Sequence, residues 1–233
     1  MRKQFVTITS VLLCVAMPVV LNAQEAVSLL TKQTQYDSSA SIGSEVDKAS
    51  LRSLLSEFTT LKASFSQTIN DMQGQELQAS TGELLLKKPQ QLRWSVTSPE
   101  ESLLVADGMT VYNVDPFVEQ VTLLDQAALT KSNPLMLLIT DKESQWEQVA
   151  VVQNKDSFVI VSLAADSPIT KLVLNFGKDK KLLSIVSTDR QQQRNNLRFS
   201  NVIYDKNINH IDFTYTPPPT WVIDDQREQA SSE

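Results

Sequence analysis

The apolar positions change their period after Leu61, and that change separates two kinds of structure. From Glu45 to Leu61, the residues Val46, Ala49, Leu51, Leu54, Leu55, Phe58 and Leu61 recur every two to four positions, with Asp47, Lys48, Arg52 and Glu57 between them. A single apolar stripe near a 3.6-residue period predicts an amphipathic helix. Beyond it the period is two. Phe65, Gln67 and Ile69 alternate with Ser64, Ser66 and Thr68, and strand-like runs follow at 77–88, 91–97, 102–106, 110–114 and 118–124. Asp71-Met72-Gln73-Gly74, Lys88-Pro89-Gln90, Ser98-Pro99 and Asp107-Gly108 separate these runs. Turn residues at that spacing predict a hairpin meander and hence an antiparallel sheet.

Two short helices are expected next, Asp125–Leu129 and Asn133–Asp141, the second opened by Asn133 as N-cap with Pro134 in the first helical position. Strand patterning resumes at 146–153, 157–163, 170–176, 182–188, 197–204 and 211–216, and Pro217-Pro218-Pro219 ends it. No internal repeat and no Gly/Ser-rich linker divides this stretch, so residues 45–233 read as one domain. Before it, residues 24–44 are poorly patterned and read as a flexible lead-in. At the start, Arg2 and Lys3 precede a largely apolar run from Phe5 to Leu21, followed by Asn22 and Ala23. Residues 1–23 therefore read as a secretory signal peptide cleaved after Ala23, which places the mature protein outside the cytoplasm.

Composition narrows the chemistry. The 233 residues are 41% hydrophobic and 21% charged, a globular profile. Lys and Arg number 21 against 27 Asp and Glu, and loss of Arg2 and Lys3 with the leader lowers the net charge from -6 to -8, which argues against nucleic acid as a partner. The chain has one His, one Cys and five isolated Gly residues, and Cys14 leaves with the leader. No disulfide, Cys nucleophile or phosphate-cradling loop can then be built. His210 alternates with Ile211, Phe213 and Tyr215 and reads as a solvent-facing strand residue, and the zinc ligand set is missing. Asp224-Asp225 is the one adjacent Asp pair, read equally well as a solvated terminal segment or as a hydrolase's acid/base pair.

The apolar residues are more informative than the polar ones. Leu84-Leu85-Leu86, Leu103-Leu104-Val105 and Leu123-Leu124 place apolar side chains on both faces of their strands, so each sheet face needs a cover. A curved sheet around an apolar interior, its mouth closed by helices, satisfies this whether the interior is a packed core or a cavity.

Several sequence blocks then carry a resemblance. Lys87-Lys88-Pro89, Arg93-Trp94, Ser98-Pro99-Glu100-Glu101-Ser102, Val105-Ala106-Asp107-Gly108, Asp115-Pro116-Phe117-Val118-Glu119-Gln120, Asn133-Pro134-Leu135-Met136-Leu137-Leu138 and Phe213-Thr214-Tyr215-Thr216-Pro217-Pro218 occur in order within Leu51–Gln226. Together they resemble the LolA family of periplasmic outer-membrane lipoprotein carriers. The resemblance implies a mainly β fold with an α lid: an incomplete, half-open antiparallel β-barrel of about 11 strands, with three helices covering an apolar cavity. It implies a monomeric, non-enzymatic carrier without cofactors, which takes the acyl chains of lipoproteins from the inner-membrane ABC transporter LolCDE and delivers them to the outer-membrane receptor LolB. Carried over by position, the cavity lining comprises Phe65, Leu84, Leu86, Leu92, Trp94, Val96, Leu103, Tyr112 and Phe117. The lid residues are Leu51, Leu55 and Phe58 on the first helix and Met136, Leu138 and Ile139 on the later one. Lys88 is the implied lid latch, at a position where familiar members carry Arg, and Leu92 stands where Phe is familiar. An acceptor or sensor domain of the same fold, and a carboxylate-dependent hydrolase, are the alternative readings.

Overall fold

The computed structural model describes residues 43–126, 138–140, 142–204 and 207–227. The signal peptide, most of the lead-in, Met136 and most of the two helices expected at 125–141 lie outside the described residues.

Helix α1 (Glu45–Ser56) opens on Ser44, whose Oγ accepts the Asp47 N–H at 3.0 Å. Glu45 and Asp47 then place negative charge at its positive end. Immediately upstream, Ser44 N–H donates to Val151 O at 3.1 Å, and Gly43, with φ +79°, lies so close to Val151 that a Cβ would approach its carbonyl oxygen to 2.5 Å. The helix ends at Ser56, shorter than the stripe to Leu61 suggested. Phe58 lies in the connection, and Leu61 already belongs to strand β1 (Thr60–Asn70), where ladder pairing on both sides overrides the residual helical spacing.

The meander continues through β2 (Glu76–Lys87), β3 (Gln91–Ser98), β4 (Ser102–Ala106), β5 (Thr110–Asp115) and β6 (Gln120–Asp125). After a short helix α2 (Glu143–Trp146) come β7 (Val149–Asn154), β8 (Ser157–Ser162), β9 (Ile169–Phe176), β10 (Leu182–Asp189), β11 (Arg194–Tyr204) and β12 (Val222–Asp225). All twelve form one sheet in the order β12-β6-β5-β4-β3-β2-β1-β11-β10-β9-β8-β7. Every pairing is antiparallel except β12 with β6, and β12 and β7 are separate edges, so the sheet is open. The half-open β architecture is as expected, with one strand more than eleven.

Three local expectations are corrected. The run from Trp146 is not yet strand: Trp146 ends α2, and β7 begins at Val149. Residues 211–216 do not form a strand, because Asn209 Oδ1 accepts Ile211 N–H at 3.4 Å and Asp212 Oδ2 accepts Asn209 N–H at 3.0 Å. This reciprocal cap closes a 3-10 turn at His210–Phe213, and local side-chain bonding overrides the alternating pattern. The strand pattern also resumes after the prolines as β12, too short to signal itself in the sequence.

Each face has its own cover. On the inner face, Leu51, Leu55 and Phe58 pack into one buried cluster with Leu61, Ala63, Phe65, Leu84, Leu86, Leu138 and Ile139, which continues through Val151, Ile160 and Leu174. The opposite face of β4–β6 carries Val114, Val121 and Leu123, covered by Tyr215 and Trp221. Lys87 Nζ donates to Ile208 O at 3.2 Å and Arg93 Nη1 to Asp212 O at 3.4 Å, fastening residues 207–221 to that face. Phe213, fully buried, fills the turn. We predict that Phe213→Ala lowers stability in urea unfolding by about 3–5 kcal/mol.

Candidate functional site

The inner face of β2 and β3 is built by register. Leu84 pairs with Trp94, Leu86 with Leu92 and Gly82 with Val96, and the pairing of Trp94 with Leu104 continues the same face onto β4. Leu84 and Leu86 are buried beneath α1, whereas Leu92, Trp94, Val96 and Leu104 are half-buried. The apolar floor is therefore wider than the core that fills it. Phe65 on β1 stacks on Trp94 at 4.0 Å between ring centroids, across Gly82 of the intervening strand. A Cβ at Gly82 would meet Ser95 O at 1.9 Å and Phe65 Cζ at 2.7 Å, so the absent side chain is what lets the ring lie there. Gly82→Ala is expected to cost about 1–3 kcal/mol and to change the near-ultraviolet circular dichroism of the stacked pair.

Of the nine expected lining residues, the structure brings Phe65, Leu84, Leu86, Leu92, Trp94 and Val96 together on this face. It places Leu103, Tyr112 and Phe117 elsewhere. Leu103 pairs with Val114 and Tyr112 with Leu123, so both belong to the opposite face beneath Tyr215 and Trp221, and Leu104 takes the inner position. In a run of three apolar residues the sequence does not show which one points inward, and a one-residue choice exchanges the faces. Burial, and after it the nearby Asp107 carboxylate, raise the Tyr112 hydroxyl pKa above its ordinary value. Phe117 lies at the β5–β6 tip, 87% exposed.

The lid side is equally specific. Leu51, Leu55 and Phe58 are buried against the floor, as are Leu138 and Ile139, while Met136 falls outside the described residues. Lys88, from the β2–β3 turn, donates through Nζ to Leu55 O and sits 4.4 Å from the Phe58 ring centroid. Leu55 is in the last turn of α1, where backbone carbonyls lack helical partners and the helix end is partially negative, so an ammonium group there satisfies both. Two ion pairs flank it: Arg52 with Glu143 at 2.8 Å and Lys180 with Glu57 at 2.6 Å. Phe58 also stacks on Tyr204 at 4.5 Å, and Tyr204 Oη accepts Leu182 N–H at 2.8 Å. Neither the flanking ion pairs nor this aromatic support followed from the sequence, since their partners are far apart along the chain.

Gln126 was another missed positioning residue. Its side chain, 2% exposed, donates to Gln90 O at 2.6 Å and accepts from Gly108 N–H at 2.9 Å, joining two turns at the lid end. Gln90 N–H in turn donates to Ile139 O at 3.0 Å. A pocket of about 260 Å³ lies between the lid and this end, lined by Arg52, Ser53, Leu55, Ser56, Lys88, Thr140 and Trp146. It is a crevice of mixed lining at the margin of α1, with Leu55 and Trp146 beside Arg52 and Lys88.

Among the described residues no three His, Cys, Asp or Glu side chains gather as a metal site, and no helix is long and apolar enough to cross a membrane. His210 lies in the 3-10 turn, with Nδ1 3.3 Å from Gln91 Nε2. In the Asp pair, Asp225 accepts bonds from Arg227 Nε at 2.8 Å and Nη2 at 2.6 Å, and these hold its carboxyl down at about 2. Asp224 accepts from Gln226 Nε2 at 2.6 Å. A general acid requires the opposite shift. The depressed value stabilises the fold above the ordinary Asp pKa of about 4, and this contribution is lost as pH falls through about 2. Carbon-detected NMR titration is expected to place the Asp225 midpoint near 2 in wild type and to return it toward about 4 in Arg227→Ala.

The model of the outer membrane lipoprotein carrier protein LolA matches residues 56–216. The chain belongs to the LolA family. That family is one of periplasmic, non-enzymatic carriers that bind lipoproteins. Three solved structures are similar to this LolA-family chain in fold. An uncharacterized conserved protein from Thermus thermophilus is 12% identical, with 76% of this chain and 99% of that chain covered and a TM-score of 0.48. A LolA superfamily protein from Nitrosomonas europaea is 11% identical, with 72% and 98% covered and a TM-score of 0.44. A chain of the Pseudomonas aeruginosa MucA/MucB complex is 12% identical, with 74% and 62% covered and a TM-score of 0.44.

Proposed function

We propose that this protein carries outer-membrane lipoproteins through the periplasm, holding their acyl chains against the inner face beneath α1. Cargo comes from an inner-membrane LolCDE-type transporter and passes to an outer-membrane LolB-type receptor. The chain acts as a monomer without a cofactor, exported through the leader at residues 1–23. The observation that carries this reading is the mismatch between floor and lid: α1 covers Leu84 and Leu86 but leaves Leu92, Trp94, Val96 and Leu104 half-buried.

An acyl chain in water costs about 0.8 kcal/mol per exposed CH₂, so a lipoprotein anchor requires an apolar host for the crossing. The space over Leu84 and Leu86 is occupied by Leu51, Leu55 and Phe58. Several acyl chains therefore need the space that Leu51, Leu55 and Phe58 fill in this closed arrangement. Cargo and lid compete for one floor. The lid lowers the net affinity for cargo because the binding-competent open form is a minority, and this makes handover possible without ATP at the carrier.

Lys88 sets that balance. Its bond from a charged donor to Leu55 O is of a class that contributes about 1.5–3 kcal/mol. Lys88→Ala is expected to speed amide exchange in α1 by about 10- to 100-fold, tighten binding of a palmitoylated peptide by a similar factor and slow its release. Lys88→Arg, with five donors in a planar fork, is expected to shift all three in the opposite direction. Unchanged exchange and affinity in both variants would remove the latch from the account. Mass spectrometry of protein purified from the periplasm is expected to find acylated peptide, and its consistent absence would sink the carrier reading.

A further inference from the structure

We infer that the β5–β6 tip, Asp115-Pro116-Phe117-Val118-Glu119, is the docking point for a protein partner whose surface presents an apolar socket ringed by Lys or Arg. The tip belongs to neither apolar cluster. Phe117 is 87% exposed and Val118 55% exposed, and beside them on β12 Val222 and Ile223 are 60% and 55% exposed. Four large apolar side chains thus share one end of the sheet edge with water.

The tip is braced. Asp115 Oδ1 accepts Phe117 N–H at 3.0 Å and Val118 N–H at 3.3 Å. Glu119 adopts φ +54°, a left-handed conformation uncommon for a residue with a side chain. Its carbonyl takes the Val222 N–H at 2.9 Å, so β12 supports the turn from the side. A Phe presented on a fixed backbone gives up little conformational freedom when it enters a socket, which is how buried aromatic anchors come to dominate interfaces.

Charge identifies the partner. Pairing of Leu103 with Val114 puts the start of β4, and with it the β3–β4 turn that holds Glu100 and Glu101, at the same end of the sheet as the tip. Residues 98–102, 115–120 and 217–223 hold Glu100, Glu101, Asp115 and Glu119 and no Lys or Arg. An acidic rim around an apolar centre is complementary to a basic protein surface and is repelled by anionic headgroups. The tip also lies at the opposite end of the strands from Lys88, which precedes β3 while the tip follows β5, so an occupied tip leaves the lid end clear.

The inference takes its probes from the carrier function proposed above. Surface plasmon resonance would measure binding of the mature chain to a purified LolB-type receptor and to a detergent-solubilised LolCDE-type transporter. A fluorescent palmitoylated peptide would report the apolar floor in parallel. Phe117→Ser is expected to weaken binding to at least one protein about tenfold or more while leaving peptide affinity within about twofold. The combined Glu100→Gln, Glu101→Gln and Glu119→Gln variant is expected to associate more slowly, and its association rate to depend less on salt than that of wild type. Wild-type binding to both proteins by Phe117→Ser, wild-type binding to neither, or loss of peptide binding in Phe117→Ser would overturn the inference. So would wild-type attachment to phosphatidylglycerol vesicles that Phe117→Ser abolishes. Partner binding that depends on Phe117, found together with no peptide binding by wild type, would support the docking tip and sink the carrier reading instead.

Discussion

A β-strand has two sides, and this sheet is apolar on both. That constraint organises the molecule, because a single open sheet does not bury both of its faces against itself. The two covers are physically different. Residues 207–221 are fastened to the opposite face by bonds from Lys87 and Arg93, by the capped turn around Phe213, and by the sheet pairing of β12 that follows. The inner face is covered by a helix whose last turn is fastened, among the described residues, by Lys88 on a carbonyl and by two exposed ion pairs of a kind that contribute little individually. One cover is built into the sheet, and the other is attached to it.

Under the proposed function, the difference lets a stable domain present a replaceable core. Burial of Leu51, Leu55 and Phe58 supplies part of the stability of the closed form, and an acyl chain in the same place supplies burial of the same chemical kind. Hydrocarbon does not discriminate strongly between partners, so cargo exchange on such a floor depends on small polar interactions at its margin. In that reading, the Phe65–Trp94 stack over Gly82 belongs to the floor and not to its occupant. Nothing in this arrangement requires a reactive side chain, and the carboxylates that looked available, Asp224 and Asp225, are engaged in local bonds at the sheet edge.

Much of this was legible because period and turn chemistry are local signals. The helix start, the hairpin turns and the strands from β2 to β6 lie within a residue or two of their expected limits, and Leu84, Leu86 and Trp94 share a face as alternation requires. What failed had causes that neither period nor turn chemistry carries. The apolar run Leu103-Leu104-Val105 fits either face, and only the arrival of Tyr215 and Trp221 from the far end of the chain decides where Leu103 points. Phe117 was carried into the lining by position from the family resemblance, and the structure places it at an exposed tip instead. Residues 211–216 alternated like a strand, but Asn209 and Asp212 offered the backbone a nearer partner. The flanking ion pairs of α1 join residues 91 and 123 positions apart, a separation at which no sequence pattern signals contact.

An open sheet also leaves two edges, each a potential template for another chain. At the β7 edge that hazard is met by Gly43 and Ser44, the residues from which the lid helix starts. The same short segment therefore starts the covering helix and guards the edge. At its other end α1 runs within three residues into β1, so the helix is tied to the sheet at both ends. Under the proposed function, an opening that keeps the Val151 cap does not bare the strand edge to a second copy of the protein.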